Sequence, residues 1–142
     1  MNLRDFIESQ VAKNPRKTFL DFEDLSLTCE QFDQKVNQAA NAFIEWGVRK
    51  GDRVGLFLPN RPEFLYGWMG LMKIGAVMVP VHTEFKEKEA GYILNHCEAV
   101  GVLTDGEHLE IVKAVKRKSP TLKWIAAVHC GDEPGVFSVD RL

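Results

Sequence analysis

Short apolar runs alternate with amphipathic segments along this chain, and the alternation limits the folds that it can adopt. The apolar runs at residues 53–58, 76–81, 100–103 and 124–128 predict strands, and the segments between them predict helices. Short connections between such elements are typical of right-handed βαβ crossovers, which build a parallel sheet. We therefore predict an α/β fold with a mostly parallel sheet and flanking helices.

The amino-terminal part carries local signals for two helices and a hairpin. Apolar residues at helical spacing predict an opening helix that ends at Asn14, because the residue before a proline avoids the α region. Residues 18–22 and 25–27 predict two extended runs joined by a turn. Thr28 and Gln31 then form a capping box that begins a second helix. The apolar residues of the opening helix are Leu3, Phe6, Ile7 and Val11.

Residues 60–74 predict a helix that is buried on all sides. Asn60 and Glu63 offer an N-terminal cap, and apolar side chains then surround the helix axis. Trp68 is central in this segment and is expected to be a core residue. The Trp68→Ala substitution should then lower the free energy of unfolding by about 3 to 5 kcal/mol.

The next apolar run predicts a strand, and the nearby glycines are interpreted as packing positions rather than as a binding site. Residues 76–81 are unbroken in their apolar character, which predicts a central parallel strand covered on both faces. Gly67, Gly70 and Gly75 match neither the dinucleotide-binding fingerprint nor the phosphate-binding P-loop. We interpret Gly67 and Gly70 as positions where a neighbouring element approaches closely.

Composition excludes several classes of function. The 142 residues are 45% hydrophobic, enough for one compact domain spanning residues 1–142. Eighteen basic against twenty acidic residues leave a net charge of -2, so a nucleic-acid partner is not expected. No apolar stretch is long enough for a membrane span, and three widely spaced cysteines indicate free thiols, so we expect a cytoplasmic protein.

The sequence offers no obvious catalytic or metal-binding group. The dipeptides at residues 96–97 and 129–130 each pair a histidine with a cysteine, but recognised zinc motifs leave residues between their ligands. No Gly-x-Ser-x-Gly nucleophile motif is present. The basic cluster at residues 116–118 lies in the last turn of a predicted helix, where positive charge complements the helix dipole. We predict no metal site and no catalytic residue.

Several stretches resemble the adenylate-forming (AMP-binding) acyl-CoA synthetase superfamily. Residues 27–32 resemble the family's Leu-Thr-Tyr-x-Glu-Leu run, and residues 47–54 its Gly-x-x-x-Gly-Asp-x-Val turn and strand. Residues 60–64 are similar to its Asn-x-Pro-Glu helix start. The run 62–76 is similar to crotonobetaine/carnitine-CoA ligases and to long-chain acyl-CoA synthetases, and the likeness also includes residues 71–81 and 92–95.

The resemblance implies an N-terminal portion of a larger ligase. Such enzymes join a carboxylic acid to ATP, release pyrophosphate and pass the acyl group from AMP to coenzyme A, with Mg²⁺ assisting the first step. The family's phosphate loop, adenine-binding segment, ribose-binding Asp and catalytic Lys come later than the matched motifs. The resemblance therefore implies ATP, Mg²⁺ and coenzyme A for the full-length enzyme, and no cofactor for this chain alone.

One candidate binding site follows the predicted strand 76–81. Ligands of open α/β sheets gather at the carboxyl ends of the strands, where His82, Thr83 and Glu84 lie. In related acetyl-CoA synthetases the corresponding, glycine-rich loop borders the coenzyme A channel, so the resemblance implies a coenzyme A contact. The alternative is that His82 caps the next helix or faces solvent.

Two other functions remain open at the level of sequence. The βαβ pattern also suits a self-standing flavodoxin-like binding or regulatory module. The chain could instead be an interaction domain that docks through a surface covered in the whole ligase. The substrate of the full-length enzyme would be a small-molecule carboxylic acid.

We expect the isolated chain to self-associate, because part of a larger α/β domain leaves sheet edges and helix faces uncovered. Pairing through an unfinished sheet edge is the expected route. Sedimentation over a concentration series should show the apparent mass rising with concentration. A strictly monomeric protein that binds no hydrophobic dye would instead favour the self-standing module.

Overall fold

The computed structural model describes residues 1–141, so the predicted domain includes one residue, Leu142, outside that range. It shows a parallel sheet with helices on both faces and a small separate hairpin. The elements in chain order are α1 (Leu3–Lys13), β1 (Thr18–Phe22), β2 (Leu25–Thr28), α2 (Cys29–Glu45), β3 (Arg53–Phe57), α3 (Pro62–Lys73), β4 (Val77–Pro80), α4 (Glu87–His96), β5 (Gly101–Asp105), α5 (Leu109–Arg117), β6 (Trp124–Val128), β7 (Phe137–Ser138) and a 3₁₀ turn (Val139–Arg141).

The main sheet has five strands in the order β4-β3-β5-β6-β7, and every neighbouring pair is parallel. The register places Gly55 beside Val102, and Val102 beside Ile125. Strands β1 and β2 form a separate antiparallel pair. These findings confirm the predicted α/β class, the parallel sheet and the amino-terminal hairpin.

The core consists of two layers, one on each face of the sheet. Val102 and Ile125 point to the face covered by α4 and α5, while Leu103 and Ala126 point to the face covered by α2 and α3. Successive side chains of a strand point to opposite faces, so strands buried on both faces are apolar throughout. All five residues of β5 and of β6 are buried for this reason.

Local sequence signals set the limits of α2. Thr28 Oγ1 accepts the N–H of Gln31 at 3.2 Å, and the Gln31 side chain accepts the N–H of Thr28 at 3.0 Å, which is the predicted capping box. Gly47 follows the helix with φ of 89°, a left-handed conformation that glycine adopts without steric strain.

Helix α3 packs very closely against α2 and the sheet. A Cβ atom at Gly70 would lie 3.0 Å from the backbone nitrogen of Ala40, and one at Gly67 would lie 2.8 Å from Cδ2 of Leu103. A side chain at Gly67 would require Leu103 to move, and one at Gly70 would require α2 or α3 to shift by a few tenths of an ångström. The interpretation of these two glycines as close-approach positions is confirmed.

A mostly buried lysine connects the first three helices. Lys73 Nζ lies 2.6 Å from Asp33 Oδ1 and 2.9 Å from Asn37 Oδ1, and 3.7 Å from Glu8 Oε1. The Lys73 side chain is only 6% exposed. Because α1 contains no buried residue, this network supplements a weak apolar contact between α1 and the rest of the protein.

The prediction that α3 is buried on all sides is wrong. Trp68 is 38% exposed, so it is not a core residue. The Trp68→Ala substitution is therefore no longer expected to lower the free energy of unfolding by about 3 to 5 kcal/mol. The apolar composition predicted burial correctly for Gly67, Gly70 and Leu71, which face α2 and the sheet. No element among residues 1–141 covers the Trp68 side of the helix enough to bury it.

Two further expectations for this region are corrected. The run that begins at Ala76 forms β4, which is an edge strand rather than a central one, and Val77 is 47% exposed. The N-cap of α3 is Arg61, without a side-chain cap, rather than Asn60. Glu63 pairs with Arg61 Nε at 2.9 Å instead of completing a capping box.

The described residues show no helix that combines the length and the apolar composition needed to cross a membrane. The cysteines Cys29, Cys97 and Cys130 are free and half-buried.

Two glycine-to-alanine substitutions should have opposite effects on stability. At Gly101 an added Cβ would overlap the ring of Trp124 on the neighbouring strand, so Gly101→Ala should destabilise the fold by about 1 to 3 kcal/mol. At Gly91, inside α4, the nearest atom would be Val115 Cγ2 at 3.7 Å. Gly91→Ala should therefore stabilise the fold by roughly 0.5 to 1 kcal/mol.

Urea denaturation of the two variants measures both effects. A Gly101→Ala variant as stable as the unmodified protein would contradict the packing of Trp124 against β5.

Candidate functional site

The carboxyl ends of the parallel strands meet at one edge of the sheet. The loops that follow β3, β4, β5 and β6 all leave from this edge, because the strands run in the same direction. Open α/β sheets bind their ligands at this edge. It contains the predicted residues His82, Thr83 and Glu84, and it is the candidate functional site.

The predicted residues form a tight turn between β4 and α4. His82 Nδ1 accepts the N–H of Glu84 at 3.1 Å, and the His82 carbonyl accepts the N–H of Phe85 at 3.0 Å. The rings of His82 and Phe85 lie 5.5 Å apart. His82 and Glu84 are exposed and Thr83 is half-buried. His82 does not cap α4, whose N-cap is Lys86, and its ring faces solvent.

An open groove of about 580 Å³ separates this turn from the loop after β3. Its surface combines apolar side chains with an amide, an imidazole and a hydroxyl group. The residues are Leu58, Phe64, Val81 and Phe85 on the apolar part, and Asn60, His82 and Thr83 on the polar part. Such a surface suits an extended ligand in which methylene groups alternate with hydrogen-bonding amides.

A buried pair that sequence reasoning missed lies at the same edge. Asp105 Oδ1 accepts the backbone N–H of His108 at 3.0 Å and lies 2.7 Å from its Nδ1. The side chains are 6% and 12% exposed, and the His108 ring packs 5.1 Å from Phe57. An aspartate at a strand end, three residues before a histidine at a helix start, is the sequence signal that could have identified it.

The Asp105–His108 pair has a structural explanation. Asp105, Glu107 and His108 each place one potential ligand atom within 4.8 Å of the others, and they form the one such cluster found in residues 1–141. Asp105 Oδ1, however, already accepts from His108, and the pair locks the turn between β5 and α5. The geometry therefore supports a fixed turn more strongly than a metal centre.

Among residues 1–141, neither His–Cys dipeptide belongs to a cluster of three potential ligand atoms within 4.8 Å of one another. The His96 ring stacks on Tyr92 at 5.6 Å, while Cys97 Sγ donates to the Leu94 carbonyl at 3.5 Å. Burial raises the pKa of the Cys97 thiol above its ordinary value, so this group is protonated at neutral pH and is a poor nucleophile.

Gly106, at the carboxyl end of β5, has a packing role. The Gly106 N–H donates to the Val128 carbonyl at 3.0 Å, and an added Cβ would overlap the His129 carbonyl oxygen. Gly106 therefore allows two loops to pack closely, and its amide already has a partner.

The sequence matches the AMP-binding enzyme family over residues 7–138. The chain belongs to this family. It is 42% identical over 108 residues to the crotonobetaine/carnitine–CoA ligase of Proteus mirabilis, covering 72% of this chain and 21% of that protein. It is 34% identical over 125 residues to the enzyme of the same name from Salmonella typhimurium, covering 84% of this chain and 24% of that protein.

Solved structures of CoA ligases share this fold. The anthranilate CoA ligase AuaEII, in complex with anthranoyl-AMP, superposes with a TM-score of 0.93 at 30% identity, covering 99% of this chain and 27% of that one. A benzoate CoA ligase from Burkholderia xenovorans, at 18% identity, shares the fold with a TM-score of 0.82, covering 92% of this chain and 26% of that one.

The chain is a member of the AMP-binding enzyme family, and the relatives named above are CoA ligases. It spans only about a fifth to a quarter of the length of the relatives named above. The resemblance on residues 47–54 and 71–81 is confirmed by this match. The AMP-binding family match includes nearly the whole chain. The βαβ pattern is therefore explained by that family and no longer favours a self-standing flavodoxin-like module.

Proposed function

We propose that this chain is the N-terminal part of an ATP-dependent acyl-CoA ligase that activates a carboxylic acid as acyl-AMP and transfers it to coenzyme A. The observation that carries the proposal is the family match over residues 7–138, together with 42% identity to a crotonobetaine/carnitine–CoA ligase. The acid would be carnitine-like or crotonobetaine-like, or a fatty acid. We expect the enzyme to be cytoplasmic.

Within such an enzyme, the groove beside His82, Thr83 and Glu84 would form part of the wall that holds coenzyme A. The coenzyme supplies a thiol on an arm in which methylene groups alternate with amides. The apolar groove surface and the exposed His82 ring, Asn60 amide and Thr83 hydroxyl match that alternation. These residues would bind and orient the arm, and they would not take part in proton transfer.

The residues at this edge fit ATP and Mg²⁺ less well than they fit coenzyme A. ATP supplies the phosphoanhydride that the carboxylate attacks, and Mg²⁺ neutralises the phosphate charge. At this edge the Gly106 N–H already donates to the Val128 carbonyl, and Asp105 already has His108 as its partner. We therefore assign the nucleotide and metal contacts to the parts of the ligase that this chain does not contain.

A hybrid ligase tests the proposal. The aligned amino-terminal segment of the Proteus mirabilis crotonobetaine/carnitine–CoA ligase would be replaced by this chain. We expect the folded hybrid to form an acyl-CoA thioester from ATP, coenzyme A and a carboxylic acid. A folded hybrid that forms no adenylate with crotonobetaine, carnitine or fatty acids would overturn the proposed function.

The isolated chain should bind no ATP and should catalyse no ATP–pyrophosphate exchange. Its loops provide neither the amide cradle nor the paired cation that would offset desolvation of the phosphates. Calorimetry with and without Mg²⁺ measures the affinity, and the hybrid ligase is the positive control. Micromolar ATP binding to the chain alone would contradict the assignment of the nucleotide site to other parts of the enzyme.

Within the hybrid ligase, His82→Ala should weaken coenzyme A binding and leave adenylation unchanged. Loss of one positioning contact to the arm should raise the KM for coenzyme A by roughly three- to tenfold, as expected for a hydrogen bond of about 1 kcal/mol. The matched control is His96→Ala, which removes an exposed histidine from α4, away from the groove. Equal KM values for the two variants would remove His82 from the coenzyme A wall.

A further inference from the structure

A small cavity lies between the amino-terminal helix α1 and the rest of the protein. It measures about 190 Å³, and α1, β1, α2 and α3 all contribute to its walls. It shares no lining residue with the groove beside His82. Its apolar walls are formed by Phe6, Ile7 and Val11 of α1, Phe19 of β1, Phe32 of α2 and Met69 of α3.

The walls of this cavity suit an apolar molecule better than water. Besides the apolar side chains, the lining includes the Cys29 thiol and the Gln10 amide, and it includes no charged side chain. Gln10 is exposed, so its amide is accessible to solvent outside the cavity. A water molecule enclosed by protein needs roughly two to four polar partners, which these walls do not supply. Left empty, the cavity deprives its wall atoms of dispersion contacts that a filled core would give them.

The cavity exists because α1 stands apart from the core beneath it. Phe32 belongs to a small cluster of buried residues, and Met69 packs against that cluster. Among residues 1–141 the cluster contains no residue of α1, and no residue of α1 is buried. The apolar side chains of α1 therefore face the cluster across a gap instead of interlocking with it.

The two ends of α1 are held differently. The N–H groups of Cys29 and Glu30 donate to carbonyls of the linker at residues 15–17, which fixes the carboxyl end of α1 to the start of α2. Phe6, near the other end of α1, and Phe19 on β1 both line the cavity and are about half exposed. They mark the place where the cavity meets solvent. A small molecule can therefore enter between these two rings without displacing a buried side chain.

We propose that this cavity binds a small, uncharged hydrocarbon group of about the size of a benzene ring. An apolar cavity of about 150 Å³ is large enough to bind benzene, and this one measures about 190 Å³. The ligand would supply the contacts that are missing between α1 and the core cluster. A carboxylate would bind poorly, because no cationic side chain lines the cavity to offset its desolvation. The site is thus distinct from one for a carboxylic acid substrate, and it does not depend on the proposed function.

A benzene titration of the 142-residue chain, labelled with ¹³C at its methionine methyl groups, tests the site by NMR. Met69 lines the cavity, whereas Met72 and Met78 do not and serve as internal controls. We expect the Met69 signal to shift with a dissociation constant of roughly 1 mM or lower, while the two control signals stay in place. An unchanged Met69 signal up to the solubility limit of benzene, or equal shifts of all three signals, would overturn the proposal.

Benzoate is the matched control ligand, because it adds a carboxylate to the same ring. We expect its effect on the Met69 signal to require at least roughly tenfold higher concentrations, since the carboxylate would lose its hydration without gaining a partner. Equal affinities for benzene and benzoate would refute the assignment of this cavity to an uncharged ligand.

Two substitutions on α1 form a matched pair. Val11→Phe places a ring inside the cavity, whereas Leu3→Phe adds the same ring to the same helix at an exposed position outside it. Val11→Phe should weaken benzene binding by about tenfold or more, because the ring occupies the volume that the ligand needs, and Leu3→Phe should change it by less than about twofold. Unweakened binding to Val11→Phe would contradict the site. If Val11→Phe does not fold, the benzene and benzoate titrations of the unmodified chain still decide the proposal.

Discussion

The close contact between α2 and α3 is the constraint on which the rest of the structure depends. At Gly70 the backbone of α3 approaches so closely that an added Cβ would lie 3.0 Å from the Ala40 nitrogen and 3.1 Å from the Ala39 Cβ. At Gly67 the same helix lies directly on Leu103 of the sheet. Because α3 connects β3 to β4, its distance from the sheet fixes where β4 lies and where the loop after β4 begins. The candidate site is therefore positioned by two glycines remote from it.

The two faces of the sheet have different roles in this arrangement. The α4–α5 face is closed by a core in which Leu94, Val102, Val112 and Val115 are almost completely buried, and its outer surface carries charged side chains together with Tyr92, which is 69% exposed. The α2–α3 face has a comparable core but leaves apolar side chains uncovered.

The candidate site shows how far sequence reasoning can reach. His82, Thr83 and Glu84 could be placed at the carboxyl edge because a strand was recognised before them, and the crossover rule puts all such strand ends on one side. Asp105 and His108 were missed, although they lie at the same edge. Their pairing depends on a backbone turn and on the Phe57 ring from a neighbouring strand, neither of which has a periodic sequence signal.

The sequence by itself determined the α/β class, the capping box at Thr28 and the end of α2 at Gly47, because these depend on residues within a few positions of one another. Its motifs also determined the family. Only the tertiary structure decided that β4 is an edge strand and that Trp68 is partly exposed. An apolar run shows that a segment avoids water, but which neighbour covers it depends on strand order and on helix packing between residues distant in the chain.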